Sequence, residues 1–512
     1  MILTMEPKNV FKFFEEICAI PHGSGNTAQI TQYLCEFAKA RGLKYRTDDA
    51  GNVVIKKAGS KGAAKAAPVI LQAHIDMVCE KNSGVPIDME KDPIKLKVDG
   101  DVISADGTTL GADDGIGCAL ILAALDDEKL TAPPLECIFT TDEETGMNGA
   151  ETLDMSDLKG RRLVNLDSEE EGVFTVGCAG GALVTVHLGG EREALTGYIL
   201  KISVSGLLGG HSGGMISLGR ANANTILGRV LYRLYKKVKF HVVEISGGSK
   251  DNAIPRDARC EILFPEEEKE WKDTRKKIKK ALIRAASEIC AEYAVSDPGM
   301  EIEYNWDGVQ SRSAFAKKST KNLLGYLLTA PNGLIAMSPS FPGLPQTSLN
   351  LGVLRTVDTT DLIADDATEK AEKEDKKAVA GTGFEMTYLV RSSVNSQKRW
   401  LVEQLAVLAK KFDGLSVTLS EYPAWEYRED SPLRELCARV FEKTTGEKAQ
   451  IRMTHGGLEC GILSAKLEGL DCISMGPEMA DVHTPDEHLS VASVQRTWEF
   501  VKSLLKESSK NK

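Results

Sequence analysis

Apolar positions recur along the chain in two rhythms. At residues 8–18 and 26–41 they fall at helical spacing (Val10, Phe13, Phe14, Ile17; then Ile30, Tyr33, Leu34, Phe37), which predicts two amphipathic helices. Gly51-Asn52 opens a strand, NVVIKK, and residues 68–73, PVILQA, form the short continuous apolar run of a strand covered on both faces. A hairpin is expected around Asp99-Gly100 (95–103), a helix over 115–127, and strands over 135–141 and 162–166. Strands alternating with helices predict an α/β layer around a mostly parallel sheet.

The middle of the chain has a different order. Strand 198–205 leads to helix 220–236, strands 241–246 and 256–264, a helix near 268–293 and strand 301–305. Helix 319–329, strands 347–356 and 385–391, helix 396–412 and strand 415–421 then repeat the order α-β-β-α-β without repeating the sequence. The expected architecture is a catalytic α/β domain from residues 1–185 and 424–512. Into it is inserted an α+β lid, 186–423, made of two such units.

Composition narrows the function. With 512 residues the chain exceeds one ordinary core, and 42% hydrophobic and 27% charged residues describe a globular protein. A net charge of −11 argues against nucleic acid or an anionic membrane as partner. The basic stretch WKDTRKKIKKALIRAASEI places Ile278, Leu282, Ala285 and Ile289 on one helical face, the pattern of a solvated surface helix. Residues 358–381, rich in Asp, Lys, Ala and Glu, have the composition of an extended loop. The N-terminus lacks a signal-peptide pattern, and eleven cysteines without repeated spacing suit a reducing compartment, so a cytoplasmic location is expected.

The chemistry gathers where strands end. Strand 69–73 runs into His74-Ile75-Asp76, strand 135–141 into Asp142-Glu143-Glu144, and strand 162–166 into Asp167-Ser168-Glu169. TTLGADDGIG sets Asp113 and Asp114 at the start of a helix. Ligands of open α/β sheets sit beyond the carboxyl ends of the strands. Carboxylates crowded there need a compensating cation, and imidazole with oxygen donors suits zinc, manganese or cobalt better than calcium. Near the C-terminus GPEMADVHTPDEH adds His483 in a loop able to close the site, with His488 expected at the surface. A competing motif, Gly210-His211-Ser212-Gly213-Gly214, matches the G-x-S-x-G nucleophile elbow, but no strand immediately precedes it and no helix immediately follows.

HIDMV, TTLGADDGIG, TTDEETGMNGA, NLDSEEEG, GCAGG, GGHSGG, DNAIPR, THGGLECG and HTPDEH, in this order, resemble the aminoacyl-histidine dipeptidases (Xaa-His dipeptidases, peptidase D). These form a branch of the co-catalytic zinc aminoacylase/carboxypeptidase superfamily that includes carnosinase. The resemblance spans nearly the whole chain. It implies His74, Asp113, Glu144, Asp167 and His483 as ligands of two divalent ions, most simply zinc, with manganese or cobalt as alternatives. It further implies that Asp113 bridges the ions, that Asp76 orients His74, and that Glu143 is the general base acting on a water shared by the two metals. As strand neighbours, Glu143 and Glu144 are expected to face opposite sides, and Asp76 to face the same side as His74.

In the lid, Arg391 is the candidate grip on the carboxylate of a dipeptide, His211 the donor to the oxyanion, and Asn252 the holder of a substrate terminus. His211 falls in the first repeated unit and Arg391 in the second, so one chain is expected to complete its own site as a monomer or homodimer. The alternatives are an N-acyl amino acid deacylase on the same centre, a serine hydrolase using Ser212, and a metal-binding protein without turnover. An intact Glu143 argues against the last.

Overall fold

A computed structural model describes residues 2, 5–266, 271–358 and 381–510. Most of the charged stretch at 358–381 therefore lies outside the described residues. The chain divides into two compact units. One comprises 1–178, 427–454 and 458–512, the other 179–426 together with His455–Gly457.

The first unit is built on an eight-stranded sheet. From edge to edge its strands are Lys44–Thr47, Val53–Lys57, Leu135–Thr140, Val69–His74, Arg162–Asn165, Asp471–Ser474, Val173–Cys178 and Gln450–Thr454. The four strands from Leu135–Thr140 to Asp471–Ser474 run parallel. Val69–His74 and Leu135–Thr140 are buried at every position, which is why both are mainly apolar without alternating polar positions. Helix Ala112–Asp126 packs between helix Lys8–Cys18 and strand Val69–His74 and is apolar on all sides. Its helical geometry begins only after Asp114, because Asp113 and Asp114 depart from helical φ/ψ. The hairpin Leu96–Asp99/Val102–Ala105 forms a separate four-stranded sheet with His488–Ser490 and Met479–Ala480.

The second unit is a nine-stranded antiparallel sheet sharing one apolar core with helices Ala223–Tyr235, Trp271–Glu292, Lys317–Thr329 and Asn395–Lys411. Its strand order exposes the duplication. Glu301–Phe315, Arg192–Ser205, Ala258–Pro265 and His241–Gly247 make one half. Pro345–Val357, Gly383–Ser392, Gly180–Gly189 and Gly414–Tyr422 make the other in mirrored order, with Gly333–Met337 added beside Pro345–Val357. The halves meet at Ser246↔Arg355 and Gly247↔Leu354. Each half has a strand ahead of the α-β-β-α-β order. In the second half that strand is Gly180–Gly189, so the whole first half is inserted between it and helix Lys317–Thr329. Among the described residues no helix is long and apolar enough to cross a membrane.

One departure from the sequence expectation matters for the site. The strand expected over 135–141 stops at Thr140, and Asp142 takes a left-handed φ of 54°. Glu143 and Glu144 therefore stand on a turn, and strand alternation does not set their directions. Asn52 fixes the base of that turn by accepting from Thr141 N (3.1 Å) and donating to Gly149 O (2.9 Å). A Cβ on Gly149 would stand 2.2 Å from Thr141 O. Gly149→Ala is thus expected to cost about 1–3 kcal/mol of stability by overpacking, read as a lowered urea midpoint. An unchanged midpoint would show that the turn has slack.

Candidate active site

His74 ends its strand 1% exposed. Its Nδ1 lies 2.9 Å from the main-chain oxygen of Asp76 and 3.5 Å from that residue's carboxylate. The closer partner holding the ring is thus the main chain. The Asp76 side chain instead accepts from Ser24 Oγ (2.7 Å), Glu143 N (3.1 Å) and Glu144 N (3.4 Å), pinning the turn that carries the two glutamates.

The other ring nitrogen of His74 lies 3.1 Å from Asp113 Oδ1 and 3.6 Å from Asp167 Oδ1. On the far side of Asp113, Oδ2 is 3.2 Å from His483 Nε2, which is also 2.7 Å from Glu144 Oε1. That glutamate oxygen is buried yet out of line for a hydrogen bond. Two clusters result, His74–Asp113–Asp167 and His483–Asp113–Glu144, and they share one carboxylate whose two oxygens face different imidazoles. A nitrogen approached by two carboxylate oxygens is the geometry of ligands converging on a common cation. The ligand atoms of His74, Asp113 and Glu144 all lie within 4.8 Å of one another, and this nitrogen–oxygen donor set fits divalent metal. His483 reaches the cluster from a left-handed conformation, φ 62°, a strained backbone of the kind held at functional sites.

Charge in the centre is distributed accordingly. Its carboxylates hold His483 up to about 10 and, despite burial, lift His74 well above its usual value. Burial pushes Asp167 up to about 7. Glu143, on the same turn as Glu144, forms no ion pair with a histidine among the described residues, and burial lifts its carboxyl well above the usual range.

The second unit gathers its own polar group. Arg391 is 7% exposed and forms no ion pair with a carboxylate among the described residues. Its Nη1 donates to the Tyr422 hydroxyl at 3.3 Å. His455 also lies in this unit and touches Ser348 Oγ through Nε2 at 2.7 Å. Burial, with Arg391 adding to it, holds His455 down to about 4. His211 pairs with Ala253 in a two-stranded ribbon, and the neighbouring Asn252 accepts Ser212 N through its main-chain oxygen at 2.8 Å. His211 Nδ1 accepts from Gly214 N at 3.2 Å, so the neutral ring carries its proton on Nε2. Burial and Arg391 hold this ring below its usual value. The Ser212 hydroxyl is buried without a hydrogen-bond partner. The strand before Ser212 is only Gly210–His211 and is followed by a 3-10 turn, so no nucleophile elbow forms.

A model of peptidase family M20/M25/M40 matches residues 70–507. The chain belongs to this family. Cytosol non-specific dipeptidase of Escherichia coli is 34% identical over 506 residues, 98% of either chain. Aminoacylhistidine dipeptidase from Vibrio alginolyticus superposes with a TM-score of 0.86 at 33% identity, covering 99% of this chain and 98% of that one. A tripeptidase from Staphylococcus aureus, 15% identical with a TM-score of 0.54 over 99% and 100% of the two chains, shares the fold.

Asp114 stands out in the sequence of this M20 peptidase as a helix-opening carboxylate, whereas Glu459 and Asn165 carry no such signal. Asp114 is fully buried with both carboxylate oxygens unpartnered, and one of them lies within 4.8 Å of an atom each of His74 and Asp167. Beneath these strand ends, Glu459 accepts from Gln72 Nε2 (2.6 Å) and Thr140 Oγ1 (2.7 Å), while Asn165 donates to Gln72 at 2.7 Å. Glu459 therefore cross-links the strands that carry His74 and the Glu143–Glu144 turn, and burial pushes it up to about 8.

A pH dependence follows. With its value held to about 10, His483 keeps a proton through neutral pH in the metal-free protein. A cation must displace that proton, so apparent metal affinity should rise with pH towards about 10. Titration calorimetry in buffers of different ionisation enthalpy should show proton release on binding at pH 7. Zero release would contradict the proposed contacts of His483.

Proposed function

We propose that the protein is a metal-dependent dipeptidase, active on Xaa-His and other dipeptides, with its ligands arranged as His74, Asp113 and Asp167 on one ion and His483, Asp113 and Glu144 on the other. The carrying observation is the shared carboxylate of Asp113, whose oxygens stand 3.1 and 3.2 Å from two different imidazoles. Zinc is the simplest pair of ions for this donor set, with manganese or cobalt as alternatives. When bound, they would supply an acidified water and polarise the scissile carbonyl.

The chain's own groups do the rest. Glu143 takes the proton of the attacking water and returns it to the leaving amine; a carboxyl lifted above its ordinary range suits both steps. Asp76 holds the turn so that Glu143 and Glu144 keep different tasks. Arg391 is a buried cation without a carboxylate partner among the described residues, the receptor expected for the C-terminal carboxylate of a dipeptide. His211, with its proton on Nε2, is the oxyanion donor, and Asn252, next to its strand partner Ala253, is the candidate holder of a substrate terminus. The names of the two close relatives support dipeptides as substrates, and their difference, non-specific against aminoacylhistidine, supports a broad side-chain range. The name of the Escherichia coli relative supports a cytoplasmic location.

Glu143→Gln should keep its metal and lose roughly 10²–10⁴ in kcat, whereas Glu144→Gln should lose metal as well. Elemental analysis showing the reverse would exchange the two roles. A chelator should abolish activity and added zinc, manganese or cobalt restore it; sensitivity to a serine-directed phosphonate instead would revive Ser212.

Arg391→Ala should raise KM with a smaller effect on kcat, and should erase the preference for a free over an amidated C-terminus. Retained discrimination would assign the carboxylate to another residue.

A further inference from the structure

Glu487 is 2% exposed, and no ion pair accounts for its burial among the described residues. Its carboxylate is instead spent on main chain. Oε2 accepts from Leu110 N (2.7 Å) and Gly111 N (3.0 Å), and Oε1 from Ala112 N (2.8 Å) and Asp113 N (3.3 Å). These four amides form the turn that delivers Asp113. Gly111 has a left-handed φ of 69°, and Asp113 itself is not helical, so no preceding helical turn supplies acceptors for them. An ionised carboxylate, which only accepts and has about four lone-pair sites, can satisfy all four.

Glu487 also belongs to the segment that carries His483. Its own N–H closes a turn on Thr484 O at 3.1 Å, and the next residues, His488–Ser490, pair with Val102–Ala105. The same segment thus grips Asp113 twice, by the His483 imidazole at its side chain and by Glu487 at its backbone nitrogen.

We propose that Glu487 is a positioning residue for the metal centre: it holds the Leu110–Asp113 turn so that the Asp113 carboxylate is shared between the two histidine-bearing clusters. The assignment rests on the metallopeptidase reading. Glutamate is required at this position for a chemical reason. Glutamine has the same shape but would set an amide N–H₂ against two backbone N–H groups, leaving buried donors unsatisfied and the turn free to rotate away. Aspartate keeps both acceptors but is one methylene too short to reach all four amides unless the turn moves.

The test is titration of metal-free wild-type, Glu487→Gln and Glu487→Asp proteins with cobalt(II). It follows affinity, stoichiometry and the visible absorption of the bound metal, with circular dichroism as the check on folding. Both variants should bind cobalt roughly 10–100-fold more weakly than wild type, the usual scale for loss of a group that orients a ligand. The absorption bands of the bound cobalt should change shape, because Asp113 no longer presents both oxygens in the same directions. In the loaded Glu487→Asp enzyme kcat should fall while KM for a dipeptide stays near wild type. If Glu487→Gln does not fold, the aspartate variant carries the comparison. Wild-type affinity and an unchanged cobalt spectrum in a folded variant overturn the role of Glu487 while the metal centre stands. A wild-type protein that binds no cobalt overturns the metal reading, and this assignment with it.

Discussion

Like charges brought together out of water repel, and the first unit of this protein is arranged around that repulsion. Asp113, Asp114, Glu143, Glu144, Asp167 and Glu459 are drawn into one region of a largely buried layer. Such a concentration persists only if cations and donors compensate it. The two imidazoles do part of this by holding their protons. The main chain does another part, offering N–H groups to Asp76 and Glu487. The remainder is the opening for divalent metal. Parallel strands serve the arrangement because they end side by side, so their last residues are neighbours without long loops to order.

Above the buried carboxylates the design separates tasks by backbone. Strand ends, which are stiff, carry His74 and Asp167. Turns in left-handed or non-helical conformations carry Asp113, Glu143, Glu144 and His483, and two of these turns are tied by side chains distant in sequence: Glu487 on the Asp113 turn, Asp76 and Asn52 on the glutamate turn. The second unit follows a complementary rule. Its His211 and His455 are held below their ordinary values, and Arg391 is buried without an acidic partner among the described residues.

What could be read in the sequence was what local pattern encodes. His74, Asp76, Asp113, Glu144 and Asp167 each follow an apolar run or open a helix, and a carboxylate or histidine in that place stands out. The recurrence of α-β-β-α-β was visible because its strands and helices are strongly periodic. Glu487 and Glu459 were not legible in this way. Their partners are backbone amides, Gln72 and Thr140, more than 300 positions away, and nothing in HTPDEH or GGLECG announces them. Strand alternation does not govern Glu143 and Glu144, because the strand ends at Thr140, sooner than its apolar pattern suggested. Glu301–Phe315 was read too short because, as an edge strand, it continues past Gly308 through polar residues that resemble a loop.

The insertion that builds the second unit has a consequence for counting. Two halves of like topology ought to offer two equivalent loops between first strand and first helix. In the first half that connection, between Arg192–Ser205 and Ala223–Tyr235, carries His211. In the second half the corresponding connection is occupied by the whole first half. Duplication therefore supplies the sheet twice and the His211 loop once. The pseudosymmetry of the sheet therefore stops short of this loop, which each polypeptide carries once.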